Sequence, residues 1–282
     1  MAVDCRTPAN TAKKISESIC VKKVNSSVSK LLILGIFAGV FIGFGAQLAT
    51  MTGHDMANYF GAGFTKLIMG MVFSVGLILV VIAGAELFTG NNLIIISALD
   101  KRISWGKVFK HWLIVFGANF IGSILIVYLI YYSGLWKSAD YKVGAFSLKI
   151  ANAKVNLSFM EALIRGILCN WLVCLAVWMA IASRYVMGKI LAIVFPVTAF
   201  VAMGFEHSIA NIFFIFKGIL LKSQPEVVLA SGLSAESLSN LNWGGFIFNN
   251  LIPVTLGNII GGGFFVAFLY WVVYLKPQKE SN

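Results

Sequence analysis

The residues able to do chemistry in this chain are few, and they sit where ionisable groups are expensive. Glu206 and His207 are neighbours in the stretch 204–211, Gly-Phe-Glu-His-Ser-Ile-Ala-Asn, inside an apolar run, 190–216, with no other charge. A second stretch, 85–92, reads Ala-Glu-Leu-Phe-Thr-Gly-Asn-Asn and carries the only charged side chain of the run 67–99, Glu86. Ionisable groups at membrane depth rarely face lipid; they mark cavities and pathways. Glycine and short polar residues beside them predict breaks in the helices, lining a pore. His207 titrates near neutrality and can offer a positive charge or a proton to a passing anion. Glu86 and Glu206 could hold ions or protons, but a pore for anions gains nothing from exposed carboxylates. The favoured reading is structural: each accepts hydrogen bonds from backbone N–H groups freed by its break and holds the loop in shape.

The elements that must position these residues follow from composition. The chain has 282 residues, 59% of them hydrophobic, with mean hydropathy +0.87, too apolar for a soluble domain. The apolar runs do not alternate as barrel strands do, so the class is an all-α membrane protein. Spans are expected at 31–53, 67–99, 111–134, 159–183, 190–216 and 245–275. The run 67–99 would be roughly 50 Å long as one helix, beyond a bilayer core of ~30 Å, and must break near 88–92. The fifth run contains Pro196 and the Glu206–His207 pair and is predicted to break as well. Six transmembrane helices thus divide three plus three with a discontinuous middle member in each half, the pattern of inverted repeats meeting at a midplane site. The expected division is an N-terminal tail 1–30, a first repeat 31–134, an inter-repeat segment 135–158, a second repeat 159–275 and a tail 276–282. In the first span Gly35, Gly39 and Gly43 recur every four residues, which lets another helix backbone approach closely.

The net charge of +11 falls in short segments between the apolar runs, so it writes membrane topology and does not suggest nucleic acid. With a cytoplasmic N-terminus the inner segments hold 14 Lys and Arg and the outer segments 7, so both termini are expected in the cytoplasm. Within the tail, 11–21 reads either as an amphipathic helix lying on the membrane surface or as solvated chain. His54 and His111 fall at span ends and read as interfacial. Cys5, Cys20, Cys169 and Cys174 show no metal spacing, and no metal site or cofactor is expected. Leu77, Leu87, Phe88 and Phe200 flank the breaks; alone they are core residues, but on a pore they would narrow and dry it.

Four stretches together resemble the formate/nitrite transporter family: Ala85-Glu86-Leu87-Phe88-Thr89-Gly90, Gly166-Ile167-Leu168-Cys169-Asn170, 204–211, and Asn250-Leu251-Ile252-Pro253-Val254-Thr255-Leu256-Gly257-Asn258. The likeness covers about 28–275. It implies an aquaporin-like fold in the cytoplasmic (inner) membrane, assembled as a homopentamer with one pore per protomer. It also implies passage of small monovalent anions such as formate, nitrite and hydrosulfide. By matched position, Leu77 would form a cytoplasmic-side constriction, and Leu87 and Phe200, with Phe88 beside them, a periplasmic one. Thr89 and Asn170 would hydrogen-bond His207, and Lys154 would supply positive charge at the outer vestibule. The residues after Thr89 are Gly90-Asn91-Asn92, a position that varies between subtypes, so the preferred anion is open among the three.

The expected activity is therefore transport without catalysis. An electropositive vestibule concentrates the anion, a hydrophobic ring strips its water, and Thr89 and His207 offset that cost. A proton delivered at His207 would complete the passage by making the neutral acid. The alternative is an aquaporin-like pore for neutral small solutes, but the Asn-Pro-Ala pair is missing and Lys154 and His207 would then have no task. A redox subunit would need His pairs or a metal cluster, which the spacing does not provide.

Overall fold

The computed structural model describes residues 5–277 and is helical almost throughout. Residues 278–282 of the expected C-terminal tail lie outside the described part. The chain runs α1 (8–24), α2 (Val28–Gly53), α3 (Ala57–Gly84), α4 (Gly90–Leu99), α5 (Trp105–Tyr132), α6 (Lys142–Val155), α7 (Phe159–Ala182), α8 (Val186–Ala202), α9 (Ser208–Leu221), α10 (Pro225–Ser231) and α11 (Gly245–Tyr274). Five of these, α2, α3, α5, α7 and α11, are long and apolar enough to cross a bilayer, and α8 and α9 are shorter halves joined through 203–207. Polar caps set several starts: Ser27, Ser104 and Ser158 each accept a backbone N–H of the first turn, and Ser158 forms a reciprocal box with Glu161.

Both predicted breaks are present. α3 stops at Gly84 (φ +95°), 85–87 is non-helical with Ala85 extended, and α4 opens at Gly90 with a tight 3₁₀ turn. α8 ends at Ala202, Gly204 takes φ +75°, 205–207 is extended, and α9 starts at Ser208. The left-handed backbone at Gly84 and Gly204 is nearly closed to residues with a Cβ, so glycine is what lets each helix turn out of its axis.

The two halves repeat each other in opposite orientation. α2, α3, α4 and α5 correspond to α7, α8, α9 and α11, with α1 and α6 as the short helices preceding them. α7 begins beside α6, and its last carbonyls, Ile181 O and Ala182 O, accept from Arg6 just before α1. α2 starts beside α1, so it runs the other way. Packing is close in both halves because glycines line the contacts. A Cβ on Gly35 would come within 2.5 Å of Ala118 in α5, and one on Gly166 within 2.8 Å of Val254 O in α11. The halves meet where Gly70 of α3 lies against Thr198 of α8.

Two segments are more structured than their polarity suggests. The N-terminal segment is not solvated chain: it forms the helix α1, whose Ala12, Ile15 and Cys20 are buried. They share one face at helical spacing, and α1 is fastened by Ser16 to Asp100 (2.8 Å) and Glu17 to Arg102 (2.9 Å). The inter-repeat segment contains α6, whose Val143, Leu148, Ala151 and Val155 are buried. Lys142 and Lys149 are exposed, while Ser147 is buried and donates to Val143 O.

Gly70→Ala is expected to place a methyl 2.7 Å from Thr198 O, a backbone atom that cannot turn aside, and to destabilise the protein by about 1–3 kcal/mol. Gly63→Ala, with open space at the same helix, should be neutral or stabilising by about 0.5–1 kcal/mol. Thermal unfolding of the purified protein in detergent checks the pair.

Candidate functional site

Each break is held by the same set of residues. In the first, Asn119 of α5 makes three bonds: Oδ1 accepts from Phe88 N–H (2.9 Å), and Nδ2 donates to Gly35 O and Glu86 O (both 2.8 Å). In the second, Asn258 of α11 does the same: Oδ1 accepts from Ser208 N–H (2.9 Å), and Nδ2 donates to Gly166 O (2.8 Å) and Glu206 O (3.0 Å). The N–H groups of Glu86 and Glu206 donate to Leu34 O (3.1 Å) and Arg165 O (3.2 Å), again equivalent positions. The N–H groups of Glu86, Phe88, Glu206 and Ser208 and the carbonyls of Glu86 and Glu206 are therefore paired within the protein.

The two carboxylates are clamped alike. Glu86 accepts from Lys23 Nζ of α1 (2.6 Å) and Asn91 Nδ2 (2.8 Å). Glu206 accepts from Lys154 Nζ of α6 (2.9 and 3.0 Å) and Asn211 Nδ2 (2.6 Å). A third polar residue completes each clamp: His111 Nε2 lies 3.0 Å from Asn91 Nδ2, and Asn250 Oδ1 accepts from Asn211 Nδ2 (2.8 Å). The carboxylates thus take their hydrogen bonds from side-chain ammonium and amide groups and not, as expected from sequence, from freed backbone N–H groups. Those N–H groups are already used by neighbouring helices. His111 is a buried clamp member and not an interfacial residue. Lys154 is largely buried against Glu206, so its charge is compensated and not displayed alone at a vestibule.

Between the clamps the second break presents His207. Its Nδ1 accepts from Ala210 N–H (3.0 Å), which caps α9 and leaves the ring's proton on Nε2. Nε2 lies 2.8 Å from Thr89 Oγ1 of the first break. The Thr89 hydroxyl, accepting from histidine, keeps its own hydrogen free to donate. Asn170 does not reach His207: its Nδ2 donates to Thr89 O (3.2 Å) and Asn258 O (2.7 Å), joining the first break to α11. Cys174 Sγ also points at Thr89 O (3.4 Å). Phe200 lies beside the imidazole, ring centroids 6.2 Å apart, and packs edge-on against Phe73 at 6.0 Å.

A cavity of about 670 Å³ opens between α1, α2 and the end of α3. Lys14, Lys22 and Lys30 line it, and Leu77 and Leu87 stand together on its wall, whereas Phe200 does not. Leu87 therefore lines the same cavity as Leu77. Phe88, in the turn that follows, does not line the cavity. It packs on Phe116 (5.0 Å) and Trp112 (6.1 Å) of α5 and anchors the loop without narrowing a pore.

The model of the family described as "Formate/nitrite transporter" matches residues 9–272. The chain belongs to that family. Formate channel FocA of Escherichia coli K12 is 44% identical over 281 residues, covering 98% of this chain and 97% of that protein. A probable formate transporter of Methanothermobacter thermautotrophicus is 42% identical over 291 residues, covering 98% of this chain and all of the other. A solved pentameric formate channel with formate bound superposes with a TM-score of 0.79 at 38% identity, over 88% of this chain and 98% of that one.

For this formate/nitrite transporter family member, the roles that sequence reasoning missed are those of the clamp residues Lys23, Asn91, His111, Asn211 and Asn250 and of the two loop-holding asparagines, Asn119 and Asn258. Their signal was present as spacing. Lys23 precedes Gly35 as Lys154 precedes Gly166, and Asn91 follows Glu86 as Asn211 follows Glu206. Asn119→Asp and Asn258→Asp should each turn a donor that serves two carbonyls into an acceptor. About 2–4 kcal/mol of stability is expected to be lost, with transport, as lower unfolding temperature and flux in proteoliposomes.

Proposed function

We propose that the protein is a homopentameric channel of the cytoplasmic membrane that conducts formate, with nitrite and hydrosulfide as further substrates of the same size and charge. The observation that carries this reading is the His207–Thr89 hydrogen bond, 2.8 Å long, joining the two helix breaks in a buried setting. The formate channels among its relatives, and the pentamer with formate bound, support the substrate and the assembly. In this reading the six crossings run with both termini in the cytoplasm, so the lysine-lined cavity opens to the cytoplasm.

The route begins with Lys14, Lys22 and Lys30, which raise the local concentration of anions in the cavity. Leu77 and Leu87 at its wall make the next step dry, where a bare anion loses hydration worth several kcal/mol. The free hydrogen of the Thr89 hydroxyl replaces part of that hydration, and His207 Nε2–H, donating to the same oxygen, makes the hydroxyl a better donor. The conjugate base of a weak acid has a second option, to accept a proton and cross as the neutral acid. His207 can take part only if its Nδ1 gives up the Ala210 N–H and accepts a proton, since Nε2 already carries one. The proton then moves from Nε2 through the Thr89 hydroxyl to the anion, while Nδ1 holds its replacement.

The neutral acid is a larger fraction at lower pH, so formate flux should rise as pH falls. His207→Ala is expected to flatten that dependence, and Thr89→Val to lower flux at least tenfold at every pH while leaving folding intact. Formate uptake into proteoliposomes across pH measures both. An unchanged pH profile in His207→Ala would refute the proton route, and unchanged flux in Thr89→Val would refute the site.

A further inference from the structure

One buried cation takes no part in either clamp. Lys217, in the last turns of α9, is 1% exposed, and its Nζ has a single hydrogen-bond partner, Gln47 Oε1 of α2, at 2.7 Å. Phe213, one turn back on α9, lies beneath the ammonium at 5.7 Å from ring centroid to Nζ. Among the described residues no carboxylate comes within 4.0 Å of Lys217. The Nε2 of Gln47, without accessible surface, has no partner at all. One turn before Gln47, Gly43 faces Ile126 of α5 and Phe213, which have no acceptor to offer.

The chemistry of this cluster is one-sided. A lysine ammonium has three donors and no acceptor, and the one oxygen available, Gln47 Oε1, is already taken. Two ammonium hydrogens and both amide hydrogens of Gln47 are left facing an apolar surround. A water molecule would accept from two of them and bring two more donors of its own. A small anion accepts from all and cancels the charge, the condition under which a buried ammonium is tolerated.

We propose that Lys217 and Gln47 form a second anion site, for one resident small monovalent anion of halide type, distinct from the pore. Along α9 it lies ten residues, roughly 15 Å, beyond His207, and it sits between α2, α5 and α9 at the end of the molecule where α6 packs on α9. Its ion is structural: it ties α2 to the outer part of α9, the half-helix whose start carries the His207 cap.

Bromide is the probe. The purified protein, crystallised with bromide in place of chloride, should show anomalous density within hydrogen-bond distance of Lys217 Nζ and Gln47 Nε2. In detergent, the Tm of the wild type should be several degrees higher in bromide than in gluconate, and this difference should vanish in Lys217→Met and in Gln47→Leu. Both replacements are apolar and near in volume, so the variants are expected to fold; Lys217→Gln, which keeps a donor, should retain a reduced response if they do not. Absence of the anomalous peak, a water in its place, or an equal Tm difference in wild type and variants would overturn the assignment. None of these readouts depends on formate conduction.

Discussion

A helix that breaks inside an apolar medium releases backbone N–H and C=O groups that no water can reach, and each one left bare costs several kcal/mol. This constraint organises the protein. Two breaks are needed to bring polar chemistry to the middle of the molecule, and each is paired off by one asparagine that serves three backbone groups at once. Asparagine suits the task because its side chain carries an acceptor and a two-hydrogen donor in one rigid plane. The glycines that let α2 meet α5 and α7 meet α11 serve the same end. Gly35 and Gly166 supply the carbonyls to which Asn119 and Asn258 donate, and only helices in backbone contact bring them within reach.

The carboxylates follow from the same constraint. Glu86 and Glu206 are buried anions, and a buried anion needs a cation and donors close by. The cations do not come from the spans. They come from α1 and α6, the short helices that precede each repeat, through Lys23 and Lys154. Those helices are thereby bound to the breaks they lie over, and they cannot be regarded as a free tail and a polar connector.

Much of this was legible in the sequence. Glu86, Glu206 and His207 announced the breaks because charge within apolar runs has few other meanings, and run lengths alone required α3 to stop. The families of residues at Thr89, Asn170 and His207 were also visible, though the partner of Asn170 was not. An asparagine's donors can reach a ring nitrogen or a carbonyl equally well, and only the crossing of α7 with α11 brings Asn258 O within 2.7 Å. The side to which Leu87 and Phe88 point was hidden too, since it depends on the path of the non-helical stretch and turn that follow Gly84. His111 was read as interfacial and Lys23 as part of a polar tail because each lies at the edge of an apolar run, where a polar residue usually faces water.

The repeat makes the function a matter of difference rather than of symmetry. Gly84 and Gly204, Glu86 and Glu206, and Asn91 and Asn211 hold equivalent places, and so do Leu87 and His207, each the residue after its carboxylate. One break therefore presents a greasy side chain on the wall of the vestibule, the other an imidazole bonded to Thr89. A symmetric pair of leucines would leave a dry seal with no donor behind it. A symmetric pair of histidines would place two polar groups in line and keep the passage wet. In the proposed route the unequal pair would set a desolvating side chain ahead of a hydrogen-bond donor, giving an ion that sheds its water a replacement partner. The matched clamps, which differ in His111 against Asn250, hold both loops, and the two halves diverge where Leu87 and Thr89 of one face His207 and Ile209 of the other.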